Sequence, residues 1–246
     1  MLRAMHQSLP QHDYLYLGDN ARFPYGTKGT ETIVRYAREC SSFLVNRDID
    51  LLIIACNTAS AAALSILESE LEIPVIGTVG PAVRQALSMT KAGKIGVLGT
   101  NATVASHVYE KALYAADPAL TVTSQACPLF VPLVEAGMLT GEIVDKVIDL
   151  YLQPLQSQGV DTIILGCTHY PLLAQPIRSR VGHRVAVVEC SDAIAHDVAA
   201  MLGSGSEGEA RGTTSYFVTD EVGTFNYLAT ALLERDAVSA VRIDSL

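Results

Sequence analysis

The stretch "LLIIACNTAS", residues 51–60, is the plainest signal of the architecture. An apolar run leads straight into a cysteine, an asparagine and a threonine, and "AAALSILESEL" then continues as a strong helix former. Residues 162–171, "TIILGCTHYP", repeat the plan: apolar run, glycine, thiol, small polar groups. A strand that is apolar throughout, rather than on alternate residues, is buried on both faces, as in a parallel sheet covered by helices. In such sheets ligands bind beyond the carboxyl ends of the strands. Cys56 and Cys167 both stand there.

Working outward, further strands are predicted at 14–17, 74–77, 94–98, 185–188 and 216–219, with a weaker one at 239–243. Helical patterns fill 29–46, 58–70, 80–91, 102–115, 141–157, 172–181, 191–202 and 222–234. Strands spaced by helices in this way define the doubly wound α/β class. Asn57 or Thr58 is available to cap the helix after the first thiol, and Thr168 the one after the second. Pro171 is tolerable in that first turn. Each half of the chain thus offers one unit of strand, thiol and helix start, which predicts two similar α/β domains facing one another. The low-complexity stretch at 203–215 reads as a surface loop.

The 246 residues carry 49% hydrophobic and 17% charged side chains, ample for a folded core, and a formal net charge of −9. With no Lys/Arg cluster, nucleic acid and anionic membranes are poor partners. No apolar run reaches membrane-spanning length, and "MLRAMHQSLP" is too polar for a secretory leader. The five cysteines are odd in number and form no CxxC pair, which points to a reducing, cytoplasmic setting without a disulfide framework. Cys167 and His169 alone do not make a zinc site. No glycine-rich phosphate loop is present.

A helix start supplies unpaired N–H groups and partial positive charge. A thiol there is expected to have a lowered pKa, and the N–H groups, with Asn57, Thr58 and Thr168, can hold a carboxylate. Two opposed units of this kind suit inversion at a carbon centre. One group removes a proton from one face, and the other delivers a proton to the opposite face. The competing reading of any one cysteine is inert packing. It is preferred for Cys40, Cys127 and Cys190, the last because Asp192 opposes a thiolate. Elsewhere, "GDNARFPYGTKG" at 18–29 reads as a turn or a binding loop. Thr100 and Thr103 read as helix caps or ligands, Glu135 as a solvated acid or one in an apolar setting, and His169 as a structural histidine or a general acid–base.

The motifs "GDNARFPYG", "ACNTAS", "GVLGTNATVAS", "VPLVEAG" and "LGCTHYPLL" occur in that order over nearly the whole chain. Together they resemble the cofactor-independent aspartate/glutamate racemase family, and "PYG" after "DN-R" favours glutamate over aspartate. The resemblance implies two pseudo-symmetric, mainly parallel α/β domains, 1–79 with 189–246 and 80–188, with the site in the cleft between them. It implies that Cys56 deprotonates D-glutamate and Cys167 L-glutamate, with His169 assisting Cys167 and Glu135 tuning that side. Pro24, Tyr25, Gly26, Asn57, Thr58, Thr100, Thr103 and Thr168 would hold the substrate. No pyridoxal phosphate or metal is implied, and the protein would be a homodimer supplying D-glutamate for peptidoglycan.

The chain departs from the family pattern at its start. Family members open with a strand ending in Asp-Ser-Gly; "MLRAMHQSLP" looks like the helix that follows it. A start placed too late, a truncation and a shortened protein all fit, the first being preferred. If the chain begins at Met1, a gap in the sheet, low stability and weak activity are expected. Three alternatives therefore stand beside glutamate racemisation: racemisation of aspartate or another amino acid, a decarboxylase that leaves one thiol idle, and binding of glutamate or a partner without turnover.

Overall fold

A computed structural model describes residues 1–202, 211–233, 238–244 and 246. Part of the predicted 203–215 loop lies outside the described residues. The chain order is α1 (Leu2–Ser8), β1 (Tyr14–Gly18), α2 (Thr30–Val45), β2 (Leu52–Ile53), α3 (Asn57–Glu70), β3 (Val75–Ile76) and α4 (Val79–Met89). It continues through β4 (Lys94–Gly99), α5 (Asn101–Ala105), α6 (Val108–Ala116), β5 (Thr121–Ala126), α7 (Phe130–Glu135), α8 (Glu142–Ser157) and β6 (Thr162–Gly166). Next come α9 (Ala174–Val181), β7 (Ala186–Glu189), α10 (Cys190–Leu202), β8 (Thr214–Val218), α11 (Val222–Leu233) and β9 (Ala240–Arg242). Short 3-10 turns occupy Asn20–Arg22, Tyr25–Thr27 and Tyr170–Leu173.

Among the described residues all strand pairing is parallel, in keeping with the uniformly apolar runs of β4 and β6. The central part of the chain forms one four-stranded sheet in the order β5-β4-β6-β7. The flanking parts form β1-β8-β9 and the pair β2-β3. The strongest strands are buried throughout: β6 along its whole length, β4 everywhere but Lys94. Helix α8 lays Val144, Ile148, Tyr151, Leu152 and Leu155 into the core at helical spacing. Its Leu155 packs where a Cβ on Gly96 of β4 would stand, so that glycine admits the helix close to the sheet. A second core joins α1, α4 and α10 to β4 and β6, with Ala82, Ala86, Ile95, Ile164, Val188 and Ile194 fully buried.

Several elements differ from expectation, among them the unpredicted short helix α7 and the short strand β2. Strand β5, "TVTSQA", has no apolar run, because it is the edge of its sheet and mostly half-buried. The single helix predicted over 102–115 is two helices. Ser106 Oγ donates to the Thr103 carbonyl at 2.6 Å and accepts from the Val108 N–H at 3.3 Å, and His107 turns left-handed at φ 53°. A serine that bonds the backbone in this way competes with the helix ladder.

Candidate active site

The chain leaves β4 for β5 on one side and later returns to β6 on the other, so the topological switch lies between β4 and β6. Their register pairs Gly99 with Gly166. Thr100 and Cys167 therefore emerge side by side at the carboxyl end of the sheet. Cys56 emerges beyond β2 and is itself the N-cap residue of α3.

Each thiol stands at the start of a helical turn whose polar groups act on it. The N–H groups of Thr58 and Ala59 and the Thr58 hydroxyl favour a charge on Cys56. Those of His169 and Tyr170 favour one on Cys167, although the Tyr170 N–H also donates to the Cys167 carbonyl at 3.1 Å. These contacts favour a thiolate, as expected at a helix start, yet the expected lowering does not follow. Burial outweighs the amides: it raises the Cys56 thiol and pushes Cys167 up to about 12. The Cys56 charge adds to the rise at Cys167, so the two thiols lie within electrostatic reach of each other. Cys40, Cys127 and Cys190 are raised too, again chiefly by burial, and all five cysteines are free.

Around the thiols three hydroxyls meet. Thr58 Oγ1 lies 3.0 Å from Thr100 Oγ1 and 3.3 Å from Thr103 Oγ1, and the latter two are 3.0 Å apart. Thr100 also caps α5 by accepting from the Thr103 N–H. Gly26 presses on this group. A Cβ there would stand 2.8 Å from that of Thr100, so only glycine lets the 24–26 loop close on it. The loop itself is gathered by Asp19, which accepts from Arg22 and from the Tyr25 hydroxyl. Arg22 continues to Glu39 and covers the Tyr36 ring at 4.1 Å.

His169 stands beside Cys167, with Nδ1 4.0 Å from Sγ and 3.4 Å from Thr168 Oγ1. Its Nε2 is 2.7 Å from Glu135 Oε1, at the end of α7, and its ring is stacked on Phe23. The structure thus brings Cys56, Cys167, His169, Glu135, Gly26, Thr58, Thr100, Thr103 and Thr168 together through direct contacts or shared partners. Pro24 and Tyr25 are neighbours on the same loop.

Two predicted caps are corrected. Neither Asn57 nor Thr58 caps α3, because Cys56 occupies that position. Thr168 does not cap the next turn, whose N-cap residue is His169. Asn57 is buried and its Oδ1 accepts from Tyr109 Oη at 2.6 Å, so that oxygen is spent on the core. Tyr109 reaches it past Gly166, where a Cβ would meet the ring at 3.1 Å. Cys190 completes this buried group, 4.0 Å from Asn57 Oδ1 and 3.6 Å from the Leu165 carbonyl. Sequence reading missed Tyr109, Asp19, Arg22 and Phe23 as site-forming residues. The last three lie in a motif whose pattern was visible, whereas Tyr109 is one aromatic on an ordinary helix. Among the described residues, no cluster of three or more His, Cys, Asp and Glu side chains is placed to hold a metal ion, and no helix is long and apolar enough to cross a membrane.

Fold and site define an α/β protein built on two thiol half-sites that meet at strand ends. The chain matches the Asp/Glu/Hydantoin racemase family over residues 1–198, and it belongs to that family. It is 45% identical over 223 residues to a glutamate racemase of Geobacter metallireducens, covering 89% of this chain and 83% of the relative. Among solved structures it resembles a glutamate racemase isoform of Bacillus anthracis, with TM-score 0.94, 36% identity and coverage of 99% and 92% of the two chains. A glutamate racemase of Francisella tularensis in complex with D-glutamate gives TM-score 0.90 at 30% identity, with the same coverage of each chain.

Proposed function

We propose that this chain interconverts L- and D-glutamate by two-base proton transfer at the α-carbon. The observation that carries the reading is the pair of thiols, each at a strand end and the start of a helical turn, with Cys56 near enough for its charge to raise Cys167. Glutamate as substrate is supported by the names of the relatives.

The chemistry needs one thiolate and one thiol at a time. The thiolate sulfur takes the α-proton as the C–H pair moves onto carbon. The opposite thiol then gives its S–H proton to the other face, which leaves the charge on the second sulfur. Mutual repulsion between the two sulfurs disfavours double ionisation, so a single negative charge is shared by the pair. Burial makes thiolate scarce but also makes it a stronger base once formed. By the family resemblance Cys56 serves D-glutamate and Cys167 serves L-glutamate, with His169 and Glu135 on the Cys167 side. Hydroxyls of Thr58, Thr100, Thr103 and Thr168, with the backbone at Pro24, Tyr25, Gly26 and Asn57, are the groups assigned to the substrate carboxylates and amine.

The same reading assigns residues 1–79 with 189–246 and residues 80–188 to two domains. It also carries a homodimer, a cytoplasmic setting and a supply of D-glutamate to peptidoglycan. The free cysteines are in keeping with a reducing compartment. In heavy water, deuterium should enter the α-position together with inversion, from either pure enantiomer. Cys56→Ala and Cys167→Ala should each lose racemisation by about 10²–10⁴-fold. Substantial racemisation by either variant overturns the two-thiol mechanism.

A further inference from the structure

We propose that Phe23 is a positioning residue for the Cys167 half-reaction, because its ring lies flat on the imidazole of His169 and fixes the plane in which that ring faces Cys167. The two centroids are 5.4 Å apart with 25° between planes. This role rests on the racemase reading above.

His169 is held at both ring nitrogens. Glu135 engages Nε2 at 2.7 Å, while Thr168 Oγ1 and Cys167 Sγ lie 3.4 and 4.0 Å from Nδ1. Contacts at the two nitrogens hold the ring's edges, but they leave its faces to resist, only through packing, the small χ1 and χ2 changes that tilt it. A flat aromatic against one face opposes that tilt. Phe23 supplies this face although it is 40% exposed, more than most large apolar side chains of this protein.

Phe23 is in turn presented by a rigid segment. Arg22, one residue before it, and Tyr25, two residues after it, both bond the Asp19 carboxylate. Asp19 Oδ1 also accepts from the Thr219 hydroxyl at 3.2 Å, which ties the loop to the end of β8. Among the described residues, no aromatic ring is stacked on a partner of Cys56 in this way. Cys56 meets the Thr58 hydroxyl, itself fixed by Thr100 and Thr103. Phe23 therefore serves one thiol and not the other.

Mirror-image substrates have equal free energy, so kcat/KM must be equal in the two directions for every variant. A fault on the Cys167 side shows instead in which proton transfer limits the rate. Phe23→Ala should lower kcat/KM about tenfold in both directions, since misplacement of a catalytic group by a fraction of an ångström is costly. The isotope effect with α-deuterated L-glutamate should rise and that with α-deuterated D-glutamate should fall. Phe23→Tyr, which keeps a flat ring, should restore both. Phe23→Leu, apolar but not flat, should behave as Ala. Isotope effects that move together, or a Leu variant equal to the parent, overturn the proposal.

A second readout is independent of turnover. The imidazole C–H resonances of His169, assigned through His169→Gln, should carry a ring-current displacement in the parent and in Phe23→Tyr, and should lose it in Phe23→Ala and Phe23→Leu. Unchanged shifts in Phe23→Ala overturn the contact. A parent chain that shows the contact but does not racemise glutamate overturns the racemase reading, and the reaction role with it.

Discussion

Cys167 shows how a single residue's environment sets two opposed demands. The amides of the turn that follows favour a charge on its sulfur, yet burial keeps its proton in place well above neutral pH. Below a raised pKa the thiolate fraction grows about tenfold for each unit of pH. Alkylation of Cys56 and Cys167 by iodoacetamide, followed by mass spectrometry, should therefore rise steadily from pH 7 to pH 9 without levelling. A plateau below pH 8 would show thiols of lowered pKa. Both residues were legible in the sequence because a thiol at the end of an apolar run is a local pattern. Their acidity was not, because burial depends on chain segments far away. Asn57 gives the same lesson in another form: its place beside Cys56 was readable, but its bond to Tyr109 depends on two distant helices meeting.

At the scale of elements, that bond links α6 to the first turn of α3. Tyr109→Phe removes the hydroxyl and leaves the buried Asn57 oxygen with only the weak donor of Cys190. A buried acceptor without a good partner costs about 1–3 kcal/mol. The urea midpoint should fall accordingly with an unchanged denaturant slope; an unaltered midpoint would show that Asn57 has another partner. The central strands were readable from their apolar runs. The edge strand β5 and the break between α5 and α6 were not, since the first is polar on a partly exposed edge and the second turns on one serine hydroxyl.

For the whole molecule, the raised cysteines make stability depend on pH in a definite direction. A thiol in the unfolded chain titrates near 9.0, whereas Cys40 and Cys190 are pushed to about 11 and Cys167 to about 12. Above pH 9 the unfolded chain has lost protons that the folded chain still holds, so unfolding is favoured as pH rises. Stability should be level with respect to these groups below about pH 8 and fall steadily from pH 9 to pH 11. Urea titrations at pH 7.5, 9 and 10.5 test this, and a flat response would show that the thiols titrate in the fold at their unfolded value. The α/β class was legible at this scale because parallel strands need burial on both faces. The sheet order was not, because strand neighbours are chosen by packing between segments that periodicity treats alike.

The route of the chain between the sheets has one more consequence. It leaves the β2-β3 pair for α4 across only Gly77 and Thr78, and it leaves β7 for α10 with no intervening residue. Thr78 and Cys190 are both buried at these crossings. Both helices that begin at these crossings, α4 and α10, enter the one core behind β4 and β6, so the two crossings are anchored in the same packed layer.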